Sequence, residues 1–350
     1  MTDSADDHPP VRWGILATGK IAHSFARDLA LLPDATLAAV GARRLESAEA
    51  FAGEFGTADQ WPTSHGSYAA LVEDPQVDVV YVASPHALHH EHVRLALEAG
   101  KPVLCEKALT LNAEQAEDLV TLAREKGLFL MEAMWMACHP LVRDLAARVR
   151  AGEFGTPRQL VADLGWVVDR PETDRLLSPE LGGGALLDMG VYPLTLADLL
   201  LGEPDRLHAV ADLSSAGVDL NLVLAAHYPG GAVAALTATM TGHSPRTAWL
   251  ATDTGRLEIP APFHHPAAVR WVASDPDTGT FREPVQLDPP EPVIGTGLGN
   301  EAAEVMRCLR AGLMESPLVP HEQTLRIMRQ MDAVRRELGV TYPGEDRTDR

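Results

Sequence analysis

Between Val11 and about Ala133, short and nearly unbroken apolar runs alternate with stretches of helical periodicity. No other feature of the 350-residue chain restricts its fold so tightly. VRWGIL, TLAAVGA, VDVVYVAS, KPVLC and LFLMEA read as strands. A strand with one wet face alternates apolar and polar side chains, whereas one that is apolar throughout must be covered on both faces. That is the situation in a parallel sheet flanked by helices. The helical stretches carry their own punctuation. Gly100 and Gly127 stand where a left-handed residue closes a helix, and Asn112 with Gln115 has the spacing of a capping box. Repeated strand–helix–strand units imply an α/β chain opening with a Rossmann domain, a doubly wound parallel sheet over residues 1–134.

After Trp135 the pattern changes to longer strands, RQLVADLGWV and VDLNLVLAAHYPGGAVAALTATM. The second breaks at Pro229-Gly230-Gly231 into a hairpin, and TAWLATDTGRLEIP repeats that logic around Gly255. Helices are expected near 139–150, 184–200, 301–311 and 321–338. Residues 135–342 therefore read as a C-terminal α+β domain for substrate binding and oligomerisation, with a mostly antiparallel open sheet. Residues 343–350 read as a disordered tail. The apolar runs Leu220–Ala226 and Val233–Met240 exceed what one helical layer covers, which predicts a homodimer, with a tetramer as the alternative.

Composition narrows the function. A formal charge of -20 at pH 7 excludes a broad nucleic-acid surface, which needs a basic footprint, and an anchor on anionic lipid. The run MTDSADDHPP has no apolar signal region and reads as a disordered leader, and no apolar run approaches the roughly 18 residues of a membrane span. Cys105, Cys138 and Cys308 are odd in number and widely spaced. They read as reduced, buried thiols of a cytoplasmic protein.

In so acidic a chain, local positive charge is informative. The first strand runs into Ala17-Thr18-Gly19-Lys20-Ile21-Ala22 and then a helix. This is the G-x-G-x-x-G/A layout with alanine at both ends, in which Gly19 lets backbone approach a pyrophosphate at the helix N-terminus. Chance turns also produce such a match; the strand before it and the helix after it favour a dinucleotide loop. Where NAD enzymes place an acid for the ribose hydroxyls, this chain reads Gly41-Ala42-Arg43-Arg44, with no carboxylate before Glu46. Guanidinium groups suit a 2′-phosphate, so NADP is the expected cofactor, the competing reading being a solvated arginine pair.

Ser84-Pro85-His86-Ala87-Leu88-His89 follows the fourth strand, and Gly100-Lys101-Pro102-Val103-Leu104-Cys105-Glu106-Lys107 follows the next helix. At these residues the sequence resembles the glucose–fructose oxidoreductase / inositol dehydrogenase / MocA family. Within it, the chain is most similar to the branch of dimeric dihydrodiol dehydrogenases and NADP-dependent xylose dehydrogenases. LFLMEAMW, GGGALLDMGVYPL and ESPLVPHEQTLRIMRQMDAVR extend the similarity over nearly the whole chain. The resemblance implies that Ser84, Pro85, His86, His89 and Glu106 border the cofactor with Ala17–Ile21, Arg43 and Arg44. It places Lys107, of the family's E-K-P element, beside the nicotinamide and the reacting carbon. Asp188-Met189-Gly190-Val191-Tyr192 matches the D-x-G-x-H/Y element, and Trp135 matches an aromatic lining the substrate pocket. Ala108 stands in the proline position, Ala137 where members often carry arginine, and no aromatic occurs at Leu298 or Asn300.

The same residues make chemical sense alone. Oxidising a secondary alcohol needs a group that takes the hydroxyl proton as hydride leaves. A free tyrosine, pKa near ~10, is too weak a base at neutral pH, but the Lys107 ammonium and an oxidised nicotinamide would favour the phenolate of Tyr192. Asp188, four residues earlier on one helix face, could bind a substrate hydroxyl or hold the lysine. The bland readings are a solvated lysine and a core tyrosine. His86, His89, His90 and His92 with Glu91 resemble a metal cluster, but hydride chemistry needs no metal and none is expected. His264-His265 reads as loop, and Cys105 as an inert strand thiol. The expected activity is hydride transfer between NADP(H) and a hydroxyl-bearing or carbonyl carbon of a sugar or vicinal diol. The rivals are a non-catalytic NADP(H)-binding regulator, and an enzyme retaining bound NADP for glycoside elimination or hydrolysis.

Overall fold

The computed structural model describes residues 9–57 and 60–345. Its first sheet has six parallel strands in the order β3-β2-β1-β4-β5-β6. They are β1 (Val11–Leu16), β2 (Ala35–Gly41), β3 (Thr63–His65), β4 (Val79–Val82), β5 (Val103–Glu106) and β6 (Leu130–Ala133), joined by α1 (Lys20–Leu29), α2 (Leu45–Phe55), α3 (Tyr68–Val72), α4 (His89–Glu98) and α5 (Ala113–Lys126). The core strands β4, β5 and β6 are buried at every residue, as unbroken apolar runs require. Strand order reverses between β1 and β4, where Leu16 pairs with Gly41 on one side and Val82 on the other. A ligand crevice is expected at that switch point. Asn112 caps α5 through the Gln115 amide (2.9 Å), and the Gln115 side chain reaches back to the Leu111 amide (3.3 Å).

Beyond α6 (Trp135–Cys138) and α7 (Pro140–Arg150) the chain builds an eight-stranded sheet, β14-β13-β12-β11-β7-β10-β9-β8. It comprises β7 (Pro157–Gly165), β8 (Arg206–Leu213), β9 (Asp219–His227), β10 (Val233–Thr239), β11 (Ala248–Thr252), β12 (Gly255–Ile259), β13 (Val269–Ala273) and β14 (Val285–Leu287). All neighbours are antiparallel except β7 and β10. Short β3, the half-exposed β8 and the strands beyond Pro260 lacked the apolar run that announced the others. One face of this sheet packs on α8 (Val191–Leu201), which is buried almost throughout and preceded by a π turn, Leu186–Gly190. Contrary to expectation, Pro179–Leu201 is long and apolar enough by composition to cross a membrane. However, 89% of its most apolar window is buried inside the fold, as a core helix is.

The division at residue 134 separates the two sheets but not the packing. Helix α9 (Leu298–Arg310) lies on α1 and α6, and α10 (His321–Leu338) lies on α5, α8 and β8. Thr324 Oγ1 donates to buried Glu132 (2.9 Å), and the Ala113 amide to Asp332 (2.8 Å). The expected tail is also shorter. Glu345 accepts from the Asn112 side chain (2.8 Å), Arg335 (2.8 Å) and the Tyr342 amide (2.9 Å), so residues 343–345 belong to the fold. The remainder, 346–350, and the leader through residue 8 lie outside the described residues.

The start of α9 has no cap of its own; Asp28 of α1 supplies it. One Asp28 oxygen accepts from the amides of Thr296 (2.8 Å), Leu298 (3.1 Å) and Gly299 (3.2 Å) and from the Thr296 hydroxyl (3.0 Å). Asp28→Ala removes a helix cap and strands buried donors, so urea denaturation should show a loss of about 2 kcal/mol or more. A loss under about 0.5 kcal/mol would mean that α9 docks without its cap.

Candidate active site

At the end of β1 the chain turns through Ala17, whose φ of 79° is left-handed, and whose amide donates to Gly41 O (3.0 Å). Gly19, extended, opens α1 with no side-chain cap, and α1 has no acid in its first turn. A Cβ on Gly19 would meet only Ala83 O, at 3.9 Å. Backbone donors at an open, uncapped helix start fit a dinucleotide pyrophosphate. Arg43 and Arg44 lie exposed just past β2, the strand paired with β1. Arg44 reaches Ser47 (3.4 Å), and Arg43 has no hydrogen bond or ion pair among the described residues. The donor set thus fits NADP.

Ser84 and Pro85 follow β4 at the switch point, and the Ser84 hydroxyl meets His92 Nδ1 (2.9 Å). His86 and His89, expected against the cofactor, each face two backbone carbonyls, and a neutral ring donates its single N–H to one of them. His86 spans Gly182 O (3.0 Å) and Lys107 O (3.0 Å), and His89 spans Ala108 O (2.9 Å) and Ser84 O (2.8 Å). Burial lowers their pKa values to about 4 and about 3. They brace the loops after β4 and β5. Gly182 belongs to this brace, since a Cβ there would sit 2.8 Å from His86 Cβ.

The β5 end carries Glu106 and Lys107. Glu106 is buried and accepts the Tyr81 hydroxyl; burial raises its pKa against the pull of that hydrogen bond and of Lys107. Lys107 Nζ crosses to the second sheet's helix, donating to Asp188 O (2.6 Å) and Asp188 Oδ1 (3.4 Å). Arg175 reaches the same carboxylate (3.2 Å). Burial opposes the Asp188 charge, but Lys107 and Arg175 outweigh it and hold the group well below the usual carboxylate range.

Tyr192, one turn beyond Asp188, lies with its ring under Lys107 Nζ, 5.0 Å from the centroid. Its hydroxyl oxygen accepts the Trp135 indole N–H (2.6 Å). Here the electrostatics differ from the sequence expectation. The Lys107 ammonium is directed at Asp188, not at the phenol oxygen. Burial and then the Glu106 charge push the Tyr192 pKa well above its usual value, and only the Trp135 hydrogen bond pulls it down. Tyr192 therefore carries its proton at neutral pH.

The structure thus brings together Lys107, Asp188, Tyr192 and Trp135 from three separate stretches. Sequence reasoning missed two further groups. Arg175 lies in the 168–181 loop with no local signal. His264 and His265, read as loop, lie against Tyr192 and Trp135: His264 is 4.8 Å from Tyr192 and 5.5 Å from Trp135, and His265 is 5.0 Å from Trp135, between ring centroids. Two adjacent histidines bracketed by Pro262 and Pro266 were the available hint.

Comparison with known proteins agrees with this geometry. A family model described as an oxidoreductase family with an NAD-binding Rossmann fold matches residues 11–134, and a second, for the GFO/IDH/MocA C-terminal domain, matches 142–259. A D-xylose 1-dehydrogenase (NADP(+)) of Hypocrea jecorina is 34% identical, covering 97% of this chain and 95% of its own. A trans-1,2-dihydrobenzene-1,2-diol dehydrogenase of Mus musculus is 34% identical over 96% and 99%. Among solved structures, a 3-ketoreductase from Actinomadura kijaniata in complex with NADP and TDP-benzene superposes with a TM-score of 0.80 at 30% identity, covering 94% of this chain and 98% of that one.

Proposed function

This chain belongs to the glucose–fructose oxidoreductase / inositol dehydrogenase / MocA family, and on that premise we propose that it moves hydride between NADP(H) and a hydroxyl-bearing or carbonyl carbon of a sugar or vicinal diol. Bound NADP supplies the hydride chemistry; the chain supplies position and a proton. The single observation that carries this reading is the Tyr192 phenol, which accepts the Trp135 N–H and so keeps its own proton free, beside the Lys107–Asp188 pair. In the reducing direction Tyr192 gives that proton to the carbonyl oxygen of the substrate. In the oxidising direction the phenol first releases that proton to solvent, and the phenolate, held by the Trp135 donor, takes the hydroxyl proton of the substrate. Lys107 and Asp188 fix the substrate oxygen and each other, and the relatives' sugar and diol substrates suit such a polar floor.

Tyr192→Phe keeps the ring and removes only the hydroxyl. Turnover of aldoses and diols should fall by about 10²- to 10⁴-fold, while NADPH binding followed by fluorescence stays near wild type. Lys107→Met should also be slow, and the double variant should lose far less than the product of the two. Retention of more than about a tenth of wild-type turnover by Tyr192→Phe would assign the proton to another group.

Exposed Arg43 is placed to grip a 2′-phosphate. Its replacement by alanine should raise the NADP Michaelis constant about tenfold or more and change that for NAD little. A wild-type chain that uses NAD as well as NADP would remove the arginines from this role.

We further propose a homodimer built on the outer face of the second sheet. Val210 (76% exposed) and Val223 (51%) are register partners there. Light scattering should give twice the 37.6 kDa chain mass; the monomer mass at micromolar concentration refutes it. Three free, buried cysteines support a reducing compartment, the cytoplasm.

A further inference from the structure

Rings also wall the site around Tyr192. His264 packs between Tyr192 and Trp135, tilted 41° to the first and perpendicular (89°) to the second, and His265 meets both His264 (4.7 Å) and Trp135. Purely apolar residues would pack as well, so the two imidazoles require an explanation. Burial drives His264 down to about 3, reinforced by His265, Lys107, Arg246 and His139; burial also lowers His265, and His139 to about 4. All three rings are therefore neutral at pH 7, and each carries one N–H and one lone pair.

The two nitrogens of His264 differ. Its Nδ1 is enclosed with no hydrogen-bond partner among the described residues, and Nε2 is not enclosed. An N–H on Nδ1 can lie against an aromatic face, which leaves the Nε2 lone pair as the acceptor open to a ligand. Trp135 Nε1 donates to the Tyr192 oxygen, and Lys107 and Arg175 to Asp188, so the polar groups near Tyr192 gather at the reacting oxygen. An open acceptor 4.8 Å, ring to ring, from the proton-transfer tyrosine can meet a second hydroxyl of a substrate whose first oxygen Tyr192 serves.

We propose that His264 accepts the hydroxyl on the carbon adjacent to the one that exchanges hydride, and so makes the enzyme selective for vicinal hydroxyls over simple alcohols. This rests on the hydride-transfer reading above and adds to it a residue that sets specificity. A site built to bond a hydroxyl discriminates strongly against an analogue lacking it, because its polar group is left unpaired.

The test compares NADP-dependent oxidation of cyclohexane-1,2-diol with that of cyclohexanol, in wild type, His264→Phe and His264→Gln. Wild type should favour the diol by roughly 10²-fold in kcat/KM. His264→Phe should lose about 10- to 100-fold on the diol and less than about threefold on cyclohexanol, with NADPH binding by fluorescence unchanged. His264→Gln, which keeps an acceptor, should recover part of the diol preference. Equal losses on both alcohols, or no loss on the diol, overturn the inference. So does a wild type equally active on both alcohols, which leaves the hydride-transfer reading standing. A wild type that oxidises neither these alcohols nor any aldose is a failure of that reading itself, and this inference falls with it.

Discussion

One ammonium group holds the chemistry of the two sheets together. Lys107, at the end of β5, spends its hydrogens on the carbonyl and carboxylate of Asp188 in the π turn before α8. An ion pair this little exposed gains its geometry at the cost of desolvation, and removing either partner leaves an uncompensated charge. Arg175 shares the carboxylate, and His86 lies between the Lys107 and Gly182 carbonyls, 3.0 Å from each. With the lysine so fixed, the ring of Tyr192 falls beneath it and the phenol oxygen turns to Trp135. A π turn of this kind, wider than an α turn, recurs at functional sites because it lets neighbouring side chains converge.

Much of this was legible in the sequence, and for physical reasons. Strands covered on both faces have no polar alternative, so β1, β2, β4, β5 and β6 were visible as apolar runs. The Asn112 cap and the Gly127 closure are local chemistry, readable within a few residues. Lys107 and Tyr192 could be singled out through the resemblance of Glu106-Lys107 and Asp188–Tyr192 to family elements, and their places, after a strand's C-terminal end and a turn after an acid, suit the chemistry.

What stayed hidden depends on residues far apart in sequence. The lysine's preference for Asp188 over the phenol oxygen is a matter of ångströms across a cleft, and no spacing encodes it. Asp28 caps a helix 268 or more residues away. His264 lies between prolines in a segment with no periodicity, so only the fold reveals that its ring covers Tyr192. β8 alternates exposed Arg206, His208, Val210 and Asp212 with half-buried Leu207, Ala209 and Ala211, and an edge strand of that kind carries too little apolar signal to be seen.

The return of α9 and α10 to the first sheet also bears on how the protein is made. A ribosome delivers β1 to β6 within the first 133 residues, yet the helices that cover α1 and α5 are translated only after residue 297. Until then the nascent first domain carries an apolar flank with no cover, and the second sheet is synthesised in its presence. Domains usually complete in the order in which they emerge. Here the earliest-born domain is the last to be sealed, so its window for sticking to other chains lasts through nearly the whole of translation.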